Sequence, residues 1–120
     1  MSTFSTIVVR QEGEITVIEA LPRRIYLQVV EAFRSELQEI IANTRGEVLI
    51  DLGKVSVMNS AGLGVLIAVH DQLQRQNRRL VICNLLPVMM EIFSRMKLET
   101  LIPVAKSQEE GIKLLQAGPK

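Results

Sequence analysis

Two short apolar runs constrain this chain more than any other feature. Val48-Leu49-Ile50-Asp51-Leu52 and Leu80-Val81-Ile82-Cys83 are almost continuously apolar and too short for buried helices. Runs of this kind read as strands covered on both faces, which is the mark of parallel sheets in α/β proteins. Helical periodicity lies before, between and after them. Ile25, Tyr26, Val29, Val30, Phe33, Leu37, Ile40 and Ile41 recur as one stripe, predicting a helix over 23–43 that stops at Asn43-Thr44-Arg45-Gly46. Leu63, Leu66, Ile67, His70 and Leu73 predict a second helix, from about Ser60 to Gln76. Pro87 suits the first turn of a third, running to about Lys97. Ser107-Gln108-Glu109-Glu110 fits a capping box opening a fourth, through Leu115.

The N-terminal part has the other period. Phe4 to Arg10 is rich in β-branched residues, and Gln11-Glu12-Gly13 supplies a hairpin turn. Glu14 to Ala20 alternates, with Ile15 and Val17 on one face and Thr16 and Ile18 on the other. Leu101 to Val104 is a short final strand, and Pro103 places it at an edge. The expected order is ββαβαβαβα. It implies a mixed, mostly parallel sheet of four to five strands with about four helices, in one domain over 1–120.

Composition excludes several classes of function. With 120 residues, 48% of them hydrophobic and 22% charged, the chain can build a core without disulfides or metal. A net charge of +1 and scarce aromatics argue against nucleic acid as a partner. One cysteine, Cys83, allows no intrachain disulfide, and its place in a buried strand makes it inert. The longest apolar stretch, Ala61 to Val69, falls far short of the roughly 20 residues of a membrane helix. No leader is visible over Met1 to Arg10, so a cytoplasmic location is expected. No metal-ligand cluster, phosphate-binding P-loop or complete GxGxxG is present, and no cofactor is expected. An enzyme with Ser60 as nucleophile lacks a Gly-x-Ser-x-Gly elbow, and the single histidine, His70, is poorly placed to activate a serine. No catalytic residue is assigned.

The segment from Asp51 to Leu66, DLGKVSVMNSAGLGVL, carries the functional signal. A buried strand ends at Asp51, and a loop over 53–59 brings Asn59 and Ser60 to a helix start at the carboxyl side of the sheet, where α/β proteins place their sites. From spacing alone, Ser60 reads as a helix N-cap. Gly62 and Gly64 weaken the first helical turn by about 1 kcal/mol each relative to alanine. They either pack closely within the domain or admit another backbone. Met58, beside Ser60, is the interface candidate among the methionines; Met89, Met90 and Met96 read as core filling. Arg75, Arg78 and Arg79 read as a solvated basic helix end.

Asp-Leu-x-x-Val-x-x-Met-Asn-Ser-Ala-Gly-Leu-Gly resembles the signature of the STAS domains, specifically the stand-alone anti-sigma factor antagonists. The resemblance extends over nearly the whole chain and implies the STAS fold. It implies that Ser60 is phosphorylated by a partner anti-sigma factor of the GHKL serine-kinase type. The unphosphorylated form would bind that partner and release sigma factor, and a PP2C-type phosphatase would restore binding. Ser56, Met58, Asn59, Ser60, Ala61, Gly62, Leu63 and Gly64 become the expected partner-binding residues, on a monomer or weak homodimer. A STAS scaffold or accessory subunit without phospho-switching, stressosome-like or in lipid transport, is the alternative. Two positions depart from the pattern. Asn59 stands where aspartate is usual, and Glu19-Ala20-Leu21-Pro22 stands where an acidic residue commonly closes the second strand.

Overall fold

A computed structural model describes residues 4–118. In chain order the elements are β1 (Ile7–Glu12), β2 (Ile15–Ala20), β3 (Arg24–Ile25), α1 (Gln28–Ala42), β4 (Val48–Asp51), β5 (Val57–Met58), α2 (Ser60–Arg75), β6 (Leu80–Cys83), α3 (Pro87–Arg95), β7 (Val104–Ala105) and α4 (Gln108–Gln116). One 3₁₀ turn, Leu98–Thr100, lies between α3 and β7. The first three and last two residues of the expected 1–120 domain lie outside the described residues.

Five strands form the main sheet in the order β1-β2-β4-β6-β7. Only the β1–β2 hairpin is antiparallel; the other pairings are parallel. Its connection is the two-residue loop Gly13-Glu14, and Gly13 has φ 63°, as a type II′ turn requires at its first central position. Gln11 and Glu12 are therefore the end of β1 and not part of the turn. β4 and β6 occupy the expected buried runs, and all eight of their residues are buried. β7 is an edge strand, as Pro103 suggests, but it comprises only Val104–Ala105.

Alternation along the strands divides the core. Ile18, Ala20, Val48, Ile50, Leu80 and Ile82 face α1, α2 and α3 with Phe33, Leu37, Leu66 and Phe93. Ile15, Val17, Leu49, Val81 and Cys83 face the opposite way, toward Leu115 of α4. Ser107 caps α4 by accepting from the Glu110 amide at 3.1 Å, while the Glu110 carboxylate accepts from the Lys106 amide at 3.0 Å. That is one half of a capping box with the return bond displaced by one residue.

Two expectations need correction. The helix expected over 23–43 begins only at Gln28, because Arg24–Ile25 pairs in parallel with Val57–Met58 as a separate two-stranded sheet. The loop expected over 53–59 therefore contains a strand, β5. The basic helix end is also not solvated throughout. Arg78 is buried, and its guanidinium donates to the carbonyls of Gly46 and Ile41, to Thr44 Oγ1 and to Gln76 Oε1. Arg78 thus ties the C-terminal ends of α1 and α2 together. Among the described residues no helix is long and apolar enough to cross a membrane.

Candidate functional site at the start of the second helix

Asp51 organises the carboxyl end of the sheet. It is buried, and its carboxylate accepts from the Gly53 amide at 2.8 Å, Asn84 Nδ2 at 2.9 Å and Gln108 Nε2 at 2.7 Å. These neutral donors satisfy the charge in place of a cation, and they join the loops after β4 and β6 to the start of α4. The next strand over contributes Glu19, which lies opposite Asp51 in register; its carboxylate stands 3.7 Å from Lys54 Nζ. Glu19 thus stands one residue before the end of β2.

Beyond Gly53 the chain is steered by backbone bonds. The Ser56 and Val57 amides donate to the Arg23 carbonyl at 2.8 and 3.2 Å, β5 pairs with β3, and the Asn59 amide donates to the Ile25 carbonyl at 3.1 Å. The small sheet is the device that delivers Asn59 to the start of α2.

Asn59 then caps the helix. Its backbone is extended, and its Oδ1 accepts from the Gly62 amide at 2.9 Å. Ser60, expected as the cap, is instead the first helical residue. Its side chain is exposed and has no hydrogen-bond partner among the described residues. With no acidic side chain in the first turn, the free amides and the dipole of α2 favour added negative charge beside it.

The eight expected partner-binding residues do not share one surface. Asn59, Ser60, Ala61 and Gly64 are exposed and Ser56 is half-buried, but Met58, Gly62 and Leu63 lie inside the domain. Met58, the expected interface methionine, is 5% exposed, and Gly62 makes room for it: a Cβ on Gly62 would stand 2.5 Å from Met58 Cγ. Gly64 has no such neighbour within 4 Å among the described residues. It borders a groove of about 350 Å³ between α1 and α2, lined also by Arg34, Gln38, Ala61, Val65 and Ala68. Of the two glycines, the first is explained by internal packing and the second is open to a partner.

Sequence reasoning missed a further surface beside Ser60. The Val29 amide donates to the Tyr26 carbonyl at 3.2 Å, closing a turn whose first central residue, Leu27, has φ 54° and ψ −133°. That is the type II′ position that glycine favours, and a bulky residue there stores on the order of 1–3 kcal/mol. Leu27 is also 72% exposed. Tyr26 and Val57 are exposed nearby, as are Arg23 and Arg24. Arg23 and Lys54 line a cleft of about 530 Å³ with Leu21, Gly53, Ser56 and Leu86. The only hint in the sequence was the basic pair after Pro22, because Ile25 and Tyr26 also fit a helical stripe.

His70 and Cys83 stand apart from this site. His70 is 6% exposed and its Nδ1 has no hydrogen-bond partner among the described residues. Burial, with the Asp51 carboxylate close by, pushes the Cys83 thiol up to about 12, so no reactive thiolate forms near neutral pH. Among the described residues no three His, Cys, Asp or Glu side chains are grouped to hold a metal ion.

The chain matches known proteins over most of its length. A family model described as the STAS domain matches residues 6–111. BtrV of Bordetella bronchiseptica, named as a candidate anti-sigma factor antagonist, is 34% identical over 79 residues, covering 66% of this chain and 68% of BtrV. An anti-sigma factor antagonist domain protein from Planctomyces limnophilus superimposes with a TM-score of 0.82 at 21% identity, covering 94% of this chain and 99% of that one. The Bacillus cell fate determinant SpoIIAA in its phosphorylated form superimposes with a TM-score of 0.67 at 21% identity, covering 90% of this chain and 97% of that one. The two solved structures share this fold.

Proposed function

The chain belongs to the STAS domain family, and on that premise we propose that it is an anti-sigma factor antagonist switched by phosphorylation of Ser60. Unphosphorylated, it binds an anti-sigma factor of the GHKL serine-kinase type and so releases sigma factor. The partner's kinase activity transfers the γ-phosphoryl group of ATP to Ser60 Oγ; the hydroxyl proton is lost and ADP leaves. A PP2C-type phosphatase hydrolyses the phosphoserine and restores binding. In this scheme the chain supplies an acceptor and an interface, and the catalytic groups belong to its partners.

One observation carries the reading. Ser60 presents an exposed, unpartnered hydroxyl at the first position of α2, while the capping task belongs to Asn59. A phosphate on Ser60 therefore breaks no hydrogen bond within the domain. It adds about −1.5 to −2 charges where the helix terminus tolerates them. The same charge in a protein–protein contact must be desolvated, and a few kcal/mol of lost binding is about a hundredfold in affinity. Release thus comes from the interface and not from unfolding.

The test is incubation with the cognate kinase and ATP, followed by mass spectrometry and partner titration. The expected result is one phosphate, on Ser60, with an unchanged circular dichroism spectrum. Ser60→Ala should retain the partner and Ser60→Asp should weaken it. A phosphate elsewhere, or a melted helix, would refute the proposal.

A further inference from the structure

We propose that the β3–β5 sheet and the turn that follows it anchor the partner, with Leu27 entering an apolar pocket of the anti-sigma factor and Arg23 and Arg24 facing carboxylates on that pocket's rim. The inference rests on the antagonist reading above and adds to it a second contact region, outside α2, with a stated partner chemistry.

Leu27 carries the first part. It is the most exposed large apolar side chain among the described residues, at 72%. It also holds φ 54° and ψ −133°, a conformation that glycine adopts freely and leucine does not. It makes no side-chain capping bond to α1. Exposure and backbone strain thus fall on one residue: the backbone bonds from the Val29 and Val30 amides to the Tyr26 and Leu27 carbonyls hold the turn, but they leave the leucine side chain in solvent. Strained residues persist where surrounding structure and function require them, and exposed apolar groups that gather into a patch mark contact sites. Tyr26, just before Leu27, and Val57, across the strand pair from Arg24, extend the apolar surface.

Position carries the second part. The Asn59 amide is bonded to the Ile25 carbonyl, so the turn at Leu27 begins directly after the strand that holds the residue preceding Ser60. A partner whose kinase site reaches Ser60 would cover this turn as well.

Charge identifies the occupant. Arg23 and Arg24 are exposed, and neither has an acidic partner among the described residues. No carboxylate lines the cleft that Arg23 shares with Lys54. Glu19 is already beside Lys54 at 3.7 Å, and the Asp51 carboxylate behind Gly53 is buried and taken up by Gly53, Asn84 and Gln108. A chain of net charge +1 therefore concentrates positive charge around an apolar centre at this face. Its complement is an apolar pocket with an acidic rim.

The experiment titrates the purified GHKL-type anti-sigma factors of the source organism with the full chain and with Leu27→Ala, Leu27→Gly, Arg24→Glu and Ser60→Asp, at low and high salt. Leu27→Ala and Leu27→Gly should each weaken binding about tenfold or more, as truncation of a buried interface anchor does. Leu27→Gly should keep or raise the melting temperature, because glycine relaxes the turn, which separates lost contact from lost folding. Arg24→Glu should weaken binding at low salt, with the difference shrinking at high salt. Binding of Leu27→Gly at wild-type strength overturns the anchor, and Ser60→Asp weakening binding in the same series leaves the antagonist reading standing. The opposite pattern supports the anchor and removes the phospho-switch. Self-association of the chain that Leu27→Gly abolishes, with partner binding intact, assigns the patch to a second copy and overturns the proposal. Failure of the wild-type chain to bind any of these partners overturns both.

Discussion

Asn59 Oδ1 accepts the Gly62 amide at 2.9 Å, so the side chain before Ser60 closes the helix and leaves the serine hydroxyl uncommitted. Asparagine caps as well as aspartate does, so the departure from the usual aspartate keeps the geometry and removes only the charge. Asn59→Ala should cost about 1 kcal/mol, or about 3–6 °C in melting temperature. Asn59→Asp should stabilise the unphosphorylated chain by about 0.3–1 kcal/mol through the helix dipole. With Ser60 phosphorylated the gain should vanish or reverse, since two adjacent anions repel. Thermal unfolding of both variants in both states checks each sign.

The two glycines of α2 should behave oppositely. Gly62→Ala drives a methyl to 2.5 Å from Met58 Cγ and 3.3 Å from Ile25 Cγ2. Overpacking of this kind costs about 1–3 kcal/mol, which exceeds or cancels the roughly 1 kcal/mol gained in helix propensity. Gly64→Ala meets nothing within 4 Å and should stabilise by about 0.5–1 kcal/mol. It should nonetheless weaken partner binding, because the methyl enters the groove between α1 and α2. Denaturant titration and partner affinity on the same samples separate the two effects. A Gly64→Ala chain that is more stable and binds normally would remove that groove from the interface.

Glu36 latches the N-terminal segment in a pH-dependent way. Its carboxylate accepts from the amides of Ser5 and Thr6 at 3.0 and 2.8 Å and from their hydroxyls at 2.8 and 2.6 Å. Burial opposes ionisation, but these bonds outweigh it and hold Glu36 below its ordinary value of 4.5. A depressed folded-state pKa means the contribution is complete above 4.5 and is lost as pH falls through the lower folded value. Amide exchange at Ser5 and Thr6 should be slow at neutral pH and lose its protection in acid. Glu36→Gln should be poorly protected throughout, and undiminished protection in that variant at neutral pH would refute the latch.

Arg78 should be one of the most sensitive charged positions. Replacing it with methionine leaves the Gly46 and Ile41 carbonyls without this donor. Each buried unsatisfied group costs about 1–3 kcal/mol, so Arg78→Met should destabilise by about 2–4 kcal/mol. Arg75→Met, at an exposed position, should change stability by less than about 0.5 kcal/mol. Equal effects in denaturant titration would contradict the buried role.

These positions also show what the residues alone could and could not reveal. β4 and β6 were legible because four buried residues in a row leave no helical alternative of comparable length. Pro87 and Ser107 marked their helix starts because a missing N–H and a short hydroxyl act locally. β3 and β5 were not legible: two-residue strands have no periodicity, and Ile25 with Tyr26 extends the stripe of α1. The cap on α2 was displaced by one residue, since Asn59 and Ser60 are both good caps and only the backbone decides between them. Arg78 was misread because the acceptors that bury it come from Ile41, Thr44 and Gly46, over thirty positions earlier in the chain. At the candidate site, the motif singled out Ser60, which is exposed, but Met58, Gly62 and Leu63 of the same stretch are buried, and the exposed Leu27 lies outside the motif.

The silence of the Cys83 sulfur has a practical side. The chain has one native thiol, and it sits in the sheet interior with its proton held to about pH 12. A cysteine introduced at position 27 or 64 would then be the sole accessible thiol, the group a maleimide dye prefers near neutral pH. Fluorescent reporters of docking can be built on the natural background without first deleting a core residue.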